Sequence, residues 1–85
     1  MKKQAIYKYR LTDNVLMTKD ATILSVGEQN NVIYLWALIN PGSPMTSREF
    51  EVVPTGQVRD FTNLTFIGTC HMQSGLVFHV FEKVN

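Results

Sequence analysis

V-I-Y-L-W-A-L-I, residues 32–39, is apolar at every position. As a strand it sets Val32, Tyr34, Trp36 and Leu38 on one face and Ile33, Leu35, Ala37 and Ile39 on the other. A strand with one solvated face alternates apolar with polar residues, so this run predicts cover on both sides. In a chain of 85 residues the second cover is a second sheet, a loop or another subunit.

Immediately upstream, T-I-L-S-V-G-E-Q (22–29) is joined to this run by Asn30-Asn31. Asparagine tolerates positive φ, and two such residues suit a primed two-residue hairpin turn. That turn places Gly27 opposite Tyr34, Val26 opposite Leu35 and Ser25 opposite Trp36. One face of the hairpin then holds Leu24, Val26, Ile33, Leu35, Ala37 and Ile39, the expected core. The other sets the large rings of Tyr34 and Trp36 beside Ser25 and Gly27. Rings flanked by small residues leave their faces open to a further core layer, a subunit or a stacked ligand.

The rest of the chain also reads as strands. A-I-Y-K-Y-R-L (5–11) alternates, with Tyr7, Tyr9 and Leu11 on one side and Ile6, Lys8 and Arg10 on the other. Thr12-Asp13-Asn14 is a turn, Val15–Thr18 a short strand, and Lys19-Asp20 turns the chain into the hairpin. Asn40-Pro41-Gly42-Ser43-Pro44 ends it. R-E-F-E-V-V (48–53) points Phe50 and Val52 inward and Glu49 and Glu51 outward, before Pro54-Thr55-Gly56 breaks the strand. Gln57-Val58-Arg59 briefly resumes it. A last hairpin, 64–73 and 76–83, turns at Ser74-Gly75. A two-residue loop there pairs Cys70 with His79 and Gly68 with Phe81. The expectation is one all-β domain over residues 1–85, a small antiparallel sandwich or partly open barrel of six to seven strands.

A domain this small buries little more than about 60% of its unfolded surface. With Cys70 the only cysteine, no disulfide within the chain reinforces it. A homo-oligomer is therefore the expected source of extra stability. The lone cysteine and the charged, interrupted N-terminus fit a reducing cytoplasm without an export signal. No apolar run is long enough to span a membrane as a helix. A net charge of +1 argues against nucleic-acid binding, although Lys2, Lys3, Lys8 and Arg10 crowd the start.

Candidate chemistry is sparse. In the register above, Cys70 and His79 share a face, near the arrangement of a thiol–imidazole pair or half a zinc site. No third member accompanies them, and His71 falls on the opposite face from His79. Neither a catalytic residue, a metal site nor a cofactor is expected. Arg48 and Arg59 suit bidentate phosphate contacts, and equally suit pairing with Glu49, Glu51 or Asp60.

I-Y-K-Y (6–9), I-L-S-V (23–26) with Gln29, L-W-A-L-I-N-P (35–41), R-E-F (48–50), T-G (55–56), F-I-G-T (66–69) and L-V-F-H-V-F-E (76–82) together resemble a family of small uncharacterised proteins encoded in phage and prophage genomes. The resemblance spans nearly the whole chain and departs at Pro54 and Gln57, where relatives often carry glycine and histidine. It implies expression in a bacterial host cytoplasm and an anti-defence role. Two forms of that role follow. One is sequestration, without turnover, of a small nucleotide-type immune signal by Tyr34, Trp36, Arg48 and Arg59. The other is direct binding of a host defence protein.

Overall fold

The structure, a computed structural model, describes residues 3–84. Among them are seven strands and no helix: β1 (Ala5–Arg10), β2 (Asn14–Thr18), β3 (Thr22–Gln29), β4 (Val32–Ile39), β5 (Met45–Pro54), β6 (Leu64–His71) and β7 (Val77–Lys83). They form two antiparallel sheets, one ordered β1-β4-β3 and the other β2-β5-β7-β6. The expected all-β, sandwich-like architecture is therefore present. Residues 57–59 do not resume a strand; they belong to the loop between β5 and β6. No helix among the described residues is long and apolar enough to cross a membrane.

The β3–β4 hairpin forms as its turn chemistry dictates. Asn30 and Asn31 take φ of 52° and 62°, the left-handed pair of a two-residue primed turn. Tyr34 faces Gly27, Leu35 faces Val26 and Trp36 faces Ser25, as the turn requires. Further from the turn a bulge between Ile23 and Ser25 shifts the register, so Ile23 pairs with Ala37. Leu24, expected in the core, is exposed, and Ile23 packs against the core instead.

β4 is central in its sheet, and its inner face supplies the buried Leu35, Ala37 and Ile39. Val15 and Met17 of β2, Ala21, Phe50 of β5 and Val80 of β7 complete the buried cluster. The outer face of β4 departs from expectation: the second sheet packs against the inner face, where Leu35, Ala37 and Ile39 meet Phe50 and Val80, and Tyr34 and Trp36 on the other side are half-buried.

Two seams join the sheets. At one, the chain crosses over between β1 and β2: the Leu11 N–H donates to the Ile33 carbonyl, and the Phe50 N–H to the Asp13 carbonyl, at 3.0 and 2.9 Å. At the other, β3 packs on β6, where Val26 sits over Gly68.

The β6–β7 turn overturns the expected register. Met72 N–H donates to the Leu76 carbonyl, and Gly75 N–H to the Met72 carbonyl, closing a three-residue loop over residues 73–75. Gly75 supplies the left-handed position with φ 93°. This longer loop shifts the pairing by one residue, so Thr69 faces His79, Cys70 faces Phe78 and Gly68 faces Val80. Phe81 pairs with Phe66, beyond a second bulge. A one-residue slip reverses which β6 side chains share a face with β7. Cys70 therefore turns into the core, away from His79, whereas His71 shares the outer face with it.

Candidate functional site

The face built by β1, β4 and β3 away from the core gathers the most unusual set of side chains. Directly opposed residues on antiparallel strands point the same way. Lys8 pairs with Trp36 and Arg10 with Tyr34 on one flank, while Ser25 and Gly27 pair with the same rings on the other. The ring centroids of Tyr34 and Trp36 are 6.3 Å apart at an interplanar angle of 54°. Trp36 leans over Gly27, where an added Cβ would stand 3.2 Å from Cζ3 of the indole. Lys8 lies over the Tyr34 ring, with Nζ 4.6 Å from its centroid, and donates to Gln29 Oε1 at 3.0 Å. A cation so placed is held by the ring quadrupole while remaining available to an anion. Lys2, part of the N-terminal basic cluster expected from sequence, lies outside the described residues.

Arg48 and Arg59 do not join Tyr34 and Trp36. Arg48 lies on the inner side of the second sheet, its Nε and Nη2 donating to the two Glu82 oxygens at 2.6 and 2.7 Å. Its Nη1 donates to the Ala21 carbonyl at 2.7 Å, so the fork is fully engaged within the fold. The Glu82 hydrogen bond raises the guanidinium above its ordinary value, keeping the charge fixed. Arg59 pairs with Glu51 on the outer side of the second sheet and donates from Nε to the Asp60 carbonyl. The aromatic face thus takes its cations from β1. The alternation of Ile6, Lys8 and Arg10 was visible in the sequence, but the pairing of β1 with β4 was the missing step.

The outer side of the second sheet holds His79, whose Nε2 lies 2.8 Å from Thr55 Oγ1 and whose Nδ1 lies 3.0 Å from Thr69 Oγ1. Both ring nitrogens are occupied by hydroxyls, with no carboxylate to orient the ring as a base. Cys70 is 2% exposed, and burial first, then the Glu28 charge, push its thiol up. A reactive thiolate requires the opposite shift. Among the described residues no three of His, Cys, Asp and Glu stand close enough to hold a metal ion.

A family model for a domain of unknown function, DUF7352, matches residues 1–85. The chain belongs to this family. No curated protein matches it, and no solved structure does. The DUF7352 match covers residues 1–85 and assigns no role to any residue.

Proposed function

We propose that this DUF7352 protein is a non-catalytic capture module that holds a nucleotide-type anion on the outer face of the β1-β4-β3 sheet. The observation that carries the reading is the pairing of Lys8 with Trp36 and Arg10 with Tyr34 on the face turned away from the second sheet. A base stacked on an aromatic ring gains about 1–3 kcal/mol, and each hydrogen bond to a charged group about 1.5–3 kcal/mol. Two rings and two cations give enough for micromolar or tighter binding after the cost of association. Phosphate contacts fall to Lys8 and Arg10, because Arg48 and Arg59 already hold Glu82 and Glu51.

In biological terms the proposal is a phage-encoded anti-defence sponge acting in the host cytoplasm, which withdraws a nucleotide immune signal without turning it over. Calorimetry against cyclic and ADP-ribose-derived nucleotides tests it, followed by heat denaturation and chromatography of the released ligand. Intact ligand at stoichiometric yield, lost in Trp36→Ala and in a Lys8→Glu/Arg10→Glu pair, supports the reading. No binding across the panel removes it. The openness of the face, with the apolar Ile6 and Leu24 exposed, favours the second reading, a direct inhibitor of a host defence protein. Recovery of one host protein by the wild type and not by Trp36→Ala would support that alternative.

A further inference from the structure

The outer side of the second sheet carries a knob beside a hole. Val58 is 96% exposed on the loop between β5 and β6, and it is held there by structure on both sides. Gln57 N–H donates to the Pro54 carbonyl at 3.2 Å, and Arg59 is fastened to Glu51. The Asp60 carboxylate accepts the Thr62 N–H and hydroxyl at 2.8 and 2.6 Å, and Phe61 packs on Phe81 with centroids 5.2 Å apart. The loop therefore presents an apolar side chain to water in a fixed position. Next to it is a groove of about 170 Å³ lined by Val53, Pro54, Phe61 and Phe81, with Thr55 and His79 at its polar end. Sites for small-molecule ligands usually run from about 300 Å³, so this groove is of a size for one side chain.

We infer that this face is the contact between two copies of the chain, each placing Val58 in the groove of the other. A two-fold contact sets a surface against itself, so its charges must balance internally. Here Glu51 already pairs with Arg59 and with Lys83, the latter at 3.3 Å, and Asp60 offsets the remaining positive charge. On the opposite face, Lys8 and Arg10 sit beside Trp36 and Tyr34 with no acid paired to them there among the described residues, so pairing that face with a copy of itself would bring like charges together. Phe66 and Phe61, 56% and 43% exposed, extend the apolar patch.

The area suffices. A stable interface needs about 800 Å² from each partner, and the molecule measures 45 × 30 × 17 Å, so rather more than half of its broad face is required. The isolated chain is also extended for its mass. Its surface is 5683 Å², against about 5,100 Å² expected of a folded monomer of 9.7 kDa. Its radius of gyration of 13.6 Å exceeds the roughly 12 Å expected for its length. This inference is independent of the ligand reading, which concerns the other sheet.

Light scattering coupled to size exclusion, repeated over a dilution series, tests it. The wild type is expected at twice 9.7 kDa. Val58→Glu changes a side chain with almost no contacts in the protomer, so the circular dichroism spectrum stays unchanged while the dimer dissociation constant rises roughly 30-fold or more. Tyr34→Ser, on the opposite face, leaves the dimer intact. A wild-type chain that remains monomeric across the micromolar range overturns the inference. So does an assembly that survives Val58→Glu, or a dimer lost in Tyr34→Ser.

Discussion

Val26 of β3 fills the space that any side chain at Gly68 of β6 would need. A Cβ built on Gly68 would lie 2.5 Å from Val26 Cγ1, well inside van der Waals contact. The two sheets meet there without hydrogen bonds to hold them, so the glycine sets how closely β3 approaches β6. Gly68→Ala must push the sheets apart or force Val26 off its rotamer, an overpacking cost of about 1–3 kcal/mol. Thermal unfolding is expected to report a midpoint several degrees lower, and a Gly68→Ala/Val26→Ala pair should recover part of the loss. An unchanged midpoint in the single variant would show that the seam is loose.

Arg48 ties three distant segments together by binding Glu82 of β7, the Ala21 carbonyl and, at 3.6 Å, the sulfur of Met17. Arg48→Met removes the fork and leaves a mostly buried carboxylate and a carbonyl without their donor. The expected cost is about 1–3 kcal/mol in urea denaturation. Arg48→Lys keeps the charge but not the bidentate geometry, and should restore only a minority of that loss. Full restoration by lysine would reduce the pair to a simple charge contact.

The response to acid follows from Glu51. Its hydrogen bond from Arg59, with help from Lys83, holds the carboxyl below its ordinary value of 4.5. A folded-state pKa below the unfolded one means that the native protein binds fewer protons, so stability rises with pH through this range. The contribution is fully present above pH 4.5 and is lost as pH falls through the folded value. Melting curves between pH 7 and pH 3 should therefore show a steeper acid decline for wild type than for Glu51→Gln, and added salt should narrow the difference. Equal slopes would mean that the pair forms equally in the unfolded chain.

Cys70 faces the core opposite Phe78, with its thiol pushed up by burial. A disulfide-exchange reagent at pH 8 should leave it unmodified in the native protein and label it fully in denaturant. Cys70→Ser is expected to fold and to retain whatever capture activity the wild type has. Rapid native labelling, or loss of activity in a folded Cys70→Ser protein, would restore the thiol to the list of functional groups.

The sequence by itself determined the features whose causes are local. Asn30-Asn31 demanded a two-residue primed turn, and that turn carried the pairing of Gly27, Val26 and Ser25 with Tyr34, Leu35 and Trp36. The alternation in residues 48–53 placed Phe50 inside the fold, but Val52, read inward with it, is 39% exposed, and Val53 is the buried valine of the two. Tertiary structure alone decided the rest, because strand partners and bulges are chosen by packing between residues far apart in the chain. Ser74-Gly75 is compatible with a two- or a three-residue loop; taking the second moved Cys70 and His79 to opposite faces. Whether the outer face of β4 would be covered depended on where the second sheet packed. That its rings would lie beside Lys8 and Arg10 depended on β1 joining β4 across the intervening β2–β3 segment. Arg48 met Glu82, 34 residues away, only because β7 lies beside β5; the guanidinium that looked suited to a phosphate is held by a carboxylate within the fold.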